Sequence, residues 1–146
     1  MNDNSDATTG SYRLDDQVGF ILRRANQRHL ALFARDIPDL TPTQFAALAK
    51  LCELGQASQN ALGRATAMDA ATIKGVIDRL RKRGLVAARR DADDARRVHL
   101  SATDQGQQLY AALLPRAREI SKETLAPLAP REAAVFLQLL EKLAGE

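Results

Sequence analysis

The sequence has no tryptophan, a single cysteine (Cys52) and only 4% aromatic residues among its 146. One cysteine cannot close an intrachain disulfide, which excludes the small secreted scaffolds that depend on such staples. No run approaches the roughly 20 apolar residues of a membrane-spanning helix. Met1 to Ser11 is polar and lacks the basic cap and apolar run of a secretory leader, so a soluble, cytoplasmic protein is expected. A glycine-rich phosphate loop, a nucleophile elbow and a His-Glu-x-x-His pattern are also missing, and no Ser/His/Asp set stands out. Catalysis is not expected. The two histidines, one cysteine and scattered aspartates show no metal-ligand spacing. Asp91, Asp93 and Asp94 resemble part of a calcium loop but lack its glycine and terminal glutamate, so no cofactor is expected.

What is present is the composition of an Ala/Leu-rich helical domain, 45% hydrophobic and 27% charged. The net charge of +3 names no partner by itself, but its distribution is uneven. Residues 1–63 carry six basic and seven acidic side chains, and residues 98–146 carry five and six. Between Arg64 and Arg97 lie ten basic residues against five acidic ones. A basic stripe between near-neutral flanks fits a polyanionic partner, while a solvated charged face remains the alternative for any single run.

Residues 1–11 cannot bury enough apolar surface to order themselves and are expected to form a tail. From Tyr12, apolar residues (Leu14, Val18, Ile21, Leu22, Ala25, Leu32, Phe33) recur at helical spacing up to Pro38. Thr41-Pro42-Thr43-Gln44 specifies a helix start, with Thr41 as N-cap, Pro42 at the first position and Gln44 at the third. Phe45, Leu48, Leu51 and Cys52 follow on its apolar face, and Gly55 ends it. A shorter helix follows Ser58. Asp69 can cap the next, whose inner side is Ile73, Val76, Ile77 and Leu80 and which Gly84 terminates. Leu85–Arg90 and Arg97–Ser101 read as two strands around a polar tip. From Thr103 a long helix, expected to kink at Pro115, reaches Pro127, and a last one runs from Pro130 through Ala133, Phe136, Leu137, Leu140 and Leu143.

Helix, short helix, helix with a basic exposed side, then a charged hairpin is the order of a winged helix-turn-helix. A single helix fits the major groove of B-DNA, and a hairpin beside it can carry a cation into the minor groove. Here the chain resembles the MarR family of transcriptional regulators. The resemblance is carried by Ala71-Thr72-Ile73-Lys74-Gly75-Val76-Ile77-Asp78-Arg79-Leu80, by Arg83-Gly84-Leu85-Val86, and by Asp91-x-x-Asp94-x-Arg96 with Thr103-x-x-Gly106, and it extends from Tyr12 to Leu143. It implies a mainly α fold with a small β-wing: one domain over residues 12–146, in which a winged helix-turn-helix (42–102) is flanked by N- and C-terminal dimerisation helices (12–37 and 103–146). It further implies a homodimer on a pseudo-palindromic operator in double-stranded DNA.

Ala70, Ala71, Thr72, Lys74 and Gly75 lie away from the apolar side of the recognition helix and can face DNA; Thr72 can instead serve as a capping hydroxyl. Arg96 at the hairpin tip is the candidate for the minor groove, whose narrow A·T stretches concentrate negative potential. Asp94 would orient it by charge-assisted hydrogen bonding. Arg81 and Arg97, with Arg64, Lys82, Arg89 and Arg90, are phosphate contacts or solvated charge. Two positions depart from the family pattern. Ala95 stands where relatives often carry a second wing arginine. Gly75 stands where a polar or basic side chain is common, at about 1 kcal/mol of helix propensity against alanine, which a close backbone approach to DNA would offset.

The resemblance also implies an effector, a small aromatic carboxylate bound between the dimer helices and the DNA-binding lobe, that releases a repressor from its operator. Arg23 aligns with a ligand-anchoring basic position in some relatives, and Gln44 and Phe45 are expected on the same cleft. Arg23 can hold a carboxylate while Phe45 stacks on a ring, and His29 can donate to a ligand oxygen. A dimer-interface salt bridge for Arg23 and a satisfied interface histidine for His29 are the alternatives. Arg13 to Phe20 and Ala71 to Ile77 look like a subgroup controlling aromatic-acid catabolism, including that of nicotinate. Two other functions stand beside this one: a redox-sensing repressor built on Cys52, which sits among Leu48, Leu51 and Leu54 without a neighbouring cation, and a winged-helix protein-interaction module without specific DNA binding.

Overall fold

A computed structural model of the chain describes residues 10–145. Apart from Gly10 and Ser11, the expected tail lies outside them. Six helices and one hairpin follow in order: α1 (Val18–Asp36), α2 (Pro42–Leu54), α3 (Gln59–Ala65), α4 (Ala70–Lys82), β1 (Val86–Arg90), β2 (Val98–Ala102), α5 (Asp104–Leu125) and α6 (Pro130–Ala144).

The first helix begins later than the apolar spacing predicts. Leu14–Asp16 forms a single 3₁₀ turn, and Gln17 is extended with φ −86° and ψ 139°. The Gln17 side-chain amide donates to the Arg13 carbonyl at 2.9 Å, which holds the turn apart from the helix. Asp15 and Asp16 are thereby left just ahead of the helix start, where the dipole favours them. At the other end Ile37 leaves the helix (φ −128°, ψ 72°), as a residue before proline does.

Most other ends follow local chemistry. Thr41 and Gln44 form a reciprocal capping box, Ser58 accepts from the Ala61 N–H at 3.1 Å, and Thr103 accepts from the Gly106 N–H at 3.0 Å. Helix α4 closes with a Schellman motif: the Gly84 N–H donates to the Arg81 carbonyl and the Leu85 N–H to the Leu80 carbonyl, both at 3.0 Å. Gly84 has φ +74°, the left-handed position that glycine takes without strain. Leu85 is therefore engaged in ending the helix, and β1 starts one residue later than expected. Arg97 belongs to the turn, its N–H donating to the Asp94 carbonyl at 2.9 Å, so β2 also starts one residue later.

The strands pair antiparallel, Val86 opposite Ala102 and Arg90 opposite Val98. Ala57 and Leu100 exchange two backbone hydrogen bonds, which tie the segment before α3 to the hairpin. Beneath lies one continuous core whose fully buried members include Leu48, Leu51, Leu62, Ile73, Ile77 and Leu80. The wing and α5 are joined very closely: a Cβ on Gly106 would sit 2.1 Å from the Leu85 carbonyl oxygen. Only glycine lets the first turn of α5 pack on that backbone.

Helix α5 is assigned as one helix of 22 residues with Pro115 inside it, where the proline removes one backbone donor and crowds the carbonyl four residues before it. Helix α6 has no buried residue; Leu139 is 53% and Leu143 70% exposed. Val18, at 64%, extends the same condition to α1. No described helix is long and apolar enough to cross a membrane.

Candidate DNA interface and ligand cleft

The recognition helix owes its orientation to its inner face. Ile73, Val76, Ile77 and Leu80 are buried, so Ala70, Ala71, Thr72 and Lys74 on the remaining faces are exposed. Its start is fixed by Asp69, whose carboxylate accepts from the Thr72 N–H at 2.7 Å. Hydrogen bonds from the backbone and then the side chain of Thr72 hold that carboxyl below its usual range. The backbone N–H of Thr72 thus closes the cap. A Cβ on Gly75 would meet nothing within 4 Å, so no packing within the chain requires glycine there. Lys74 Nζ lies 3.1 Å from Asp78 Oδ2, an i,i+4 pair that a DNA phosphate would have to displace.

The wing tip is built from hydrogen bonds rather than from packing. Asp94 Oδ1 accepts from the Arg96 backbone N–H at 3.0 Å and from its Nε at 3.3 Å. The Arg96 side chain nevertheless remains 93% exposed. Arg97 lies beside the same carboxylate at 3.9 Å. Arg90 is partly engaged by the loop itself, Nη1 donating to the Ala95 carbonyl at 2.8 Å. Arg81 is exposed in the last turn of α4. The recognition helix packs against β1, so its candidates and those of the wing lie on adjoining elements.

The ligand candidates divide. Arg23 and His29 line one cavity of about 740 Å³ formed by α1, α5 and α6, with Leu22, Thr124, Phe136 and Leu137 among its other walls. Gln44 and Phe45 do not join them. Gln44 is buried, its Oε1 accepting from the Thr41 N–H at 3.1 Å, so the capping box engages the amide oxygen, and the residue does not line this cavity. The Phe45 ring packs edge-on against Phe33 at 6.0 Å and lies 6.1 Å from Tyr110. This cavity is lined by residues of α1, α5 and α6 and by none of the DNA-binding lobe.

His29 also differs from expectation in its chemistry. The Thr124 hydroxyl donates to the Ile120 carbonyl at 2.7 Å, so it must accept from His29 Nδ1, 2.8 Å away. With its proton on Nδ1, the neutral ring presents Nε2 as an acceptor. Hydrogen-bond logic assigns this tautomer. Arg28 fastens the same junction, its guanidinium donating to the Glu123 and Thr124 carbonyls at 2.7 and 2.8 Å, where an α-helix presents free acceptors. Arg35 adds an ion pair to Glu123. These contacts span some 90 residues of sequence, and no local pattern announces them; the same is true of His99, whose Nε2 lies 2.8 Å from Asp91 Oδ2. Burial pushes the Cys52 thiol up, the opposite of what a thiolate sensor needs.

The comparisons with known proteins bear on the family and the fold. The MarR family profile matches residues 40–98. Over 134 residues the chain is 41% identical to the HTH-type transcriptional repressor NicR of Pseudomonas putida, covering 90% of this chain and 85% of the relative. The chain belongs to the MarR family. Two solved structures extend the likeness. A probable transcriptional regulator from Pseudomonas aeruginosa superposes with a TM-score of 0.87 at 55% identity, over 90% of this chain and 99% of that one. BpsR of Bordetella bronchiseptica, whose DNA binding is regulated by 6-hydroxynicotinic acid, superposes with a TM-score of 0.89 at 39% identity, over 93% and 99%. This chain is a DNA-binding transcriptional regulator with the winged-helix architecture of the family.

Proposed function

We propose that the protein is a cytoplasmic, homodimeric repressor that leaves its operator when a hydroxylated aromatic or pyridine carboxylate enters the α1/α5/α6 cleft. The observation that carries this reading is the pairing of Arg23 and His29 on one largely apolar cavity. A guanidinium recognises a carboxylate, the apolar walls accept a ring, and His29 Nε2 accepts a hydrogen bond from a ring hydroxyl or lactam N–H. Six residues of helix separate the two by about 9 Å of rise, which suits a ring substituted at opposite ends. The 6-hydroxynicotinic acid that regulates BpsR has that form.

DNA is taken to meet the exposed face of α4 (Ala70, Ala71, Thr72, Lys74, Gly75), with Arg81, Arg97 and the Asp94-oriented Arg96 beside it. The uncovered apolar faces of α1 and α6 are taken to pack on a second copy and set the spacing of two recognition helices. Helix α5 begins directly after β2 and ends in the cleft. Any ligand that shifts α1 against the end of α5 is then felt at the wing.

The test is thermal-shift screening of hydroxylated benzoates, pyridine carboxylates and their CoA esters, followed by anisotropy on labelled DNA. A hit should raise Tm and weaken DNA binding, and Arg23→Ala should abolish both responses. If no compound does either, the sensor reading fails. Lys74→Ala and Arg96→Ala should each weaken duplex binding, with a phosphate contact lowering the salt slope by about one unit. Unchanged affinity in both would remove the assignment of the DNA-facing surface.

A further inference from the structure

The wing tip contains a pair of side chains that the reading of its DNA-facing residues leaves unused. Asp91 directly follows β1 and His99 sits in β2, and their contact at 2.8 Å bridges the base of the tip. Neither is a loose surface group, since the side chains are 25% and 32% exposed. The other oxygen of Asp91 turns into the loop, accepting from the backbone N–H groups of Asp93 at 2.8 Å and Asp94 at 3.2 Å. Asp94 in turn holds the backbone N–H and Nε of Arg96. One connected path therefore runs from the His99 ring through Asp91 and Asp94 to the Arg96 guanidinium.

We propose that His99 and Asp91 are a positioning pair that presents Arg96 to the DNA minor groove. The proposal rests on the reading of Arg96 as a DNA contact. Its physical basis is that residues 91–97 include no buried side chain, so hydrophobic packing cannot select one conformation for the tip. Hydrogen bonds must do so. Asp91 is suited to this because it is a pure acceptor taking three donors at once. Those donors hold its carboxyl well below the ordinary 3.8, at about 2, with the His99 hydrogen bond the largest cause. It is ionised throughout the neutral range, and an ionised carboxylate requires a proton on His99 Nε2. Ala95 makes the pair more consequential. With alanine between Asp94 and Arg96, no second guanidinium at that place can substitute for a misdirected Arg96.

The experiment uses the full-length protein and a duplex selected by it from a random-sequence library, with affinity read by fluorescence anisotropy. Arg96→Ala should weaken binding about tenfold. His99→Leu should weaken it about threefold and reduce the penalty for replacing A·T by G·C pairs under the wing. His99→Gln should restore both, because its Nε2 amide stands the same number of bonds from Cβ and can still donate to Asp91. In the Arg96→Ala background His99→Leu should have no further effect. Loss of affinity in His99→Gln equal to that in His99→Leu would make His99 a direct cationic contact and overturn the proposal. An additive effect on top of Arg96→Ala would overturn it too, as would unchanged affinity in His99→Leu. If Arg96→Ala alone changes nothing, the reading of the wing as a DNA contact falls, and the pair has nothing to position. Asp91→Ala, which removes the acceptor, serves as a second route should His99→Leu fold poorly, and is expected to match its loss and its lack of additivity.

Discussion

The winged-helix lobe and the helical arms are made of similar residues yet are completed in different ways. In the lobe, α2, α3, α4 and the hairpin bury one another's apolar faces, and Leu48, Leu62 and Leu80 have no exposure at all. In the arms, α6 buries nothing and α1 buries only Phe33, although both carry apolar stripes. Among the described residues nothing covers those stripes. The lesson is that amphipathic periodicity measures how much surface an element must bury, and says nothing of whether the same chain supplies the cover.

The sharpest way to break this comparison is to charge the exposed arm. Leu139→Glu with Leu143→Glu should convert a dimer to a monomer in light scattering and, by removing bivalent engagement, weaken operator binding by about a hundredfold or more. Survival of the dimer would mean that α6 is not the completing surface. In the lobe the equivalent blow is to the folding of one chain. Leu48→Ala should cost about 2–5 kcal/mol in denaturant unfolding, with any loss of DNA binding following from stability. Gly106→Ala, where the lobe meets α5, should cost about 1–3 kcal/mol because the Leu85 backbone must move. The smallest effect is expected at Cys52, whose thiol is raised by burial. Cys52→Ser should leave the response of DNA binding to peroxide unchanged in a mobility-shift assay.

Much of the lobe is legible in sequence because its decisive interactions are local. Thr41, Ser58, Asp69 and Thr103 each cap a helix through a bond to the residue three positions on, and Gly84 ends one through its own left-handed backbone. The same local chemistry also governs Gln44. It was readable as a capping residue and as a ligand contact; its amide oxygen is held by Thr41, and it lies off the cavity that Arg23 lines. Phe45 was readable as apolar, but whether its ring faces Phe33 or the Arg23 cleft depends on how α1 and α5 cross α2. The displaced start of α1 has a comparable origin, since periodicity alone does not reveal the Gln17 side chain bonding back to Arg13.

By itself the sequence determined the order of elements, the capped helix ends, the concentration of positive charge between Arg64 and Arg97, and the motif that places the chain in its family. These depend on contacts within a few residues or on composition. Only the tertiary structure decided that Arg23 and His29 share a cavity without Gln44 or Phe45, that His29 presents an acceptor, that Gly106 admits the Leu85 backbone, and that His99 braces the wing through Asp91. Each of those depends on atoms brought together from separate elements, where the direction of a side chain is set by packing and hydrogen-bond satisfaction and not by its neighbours along the chain.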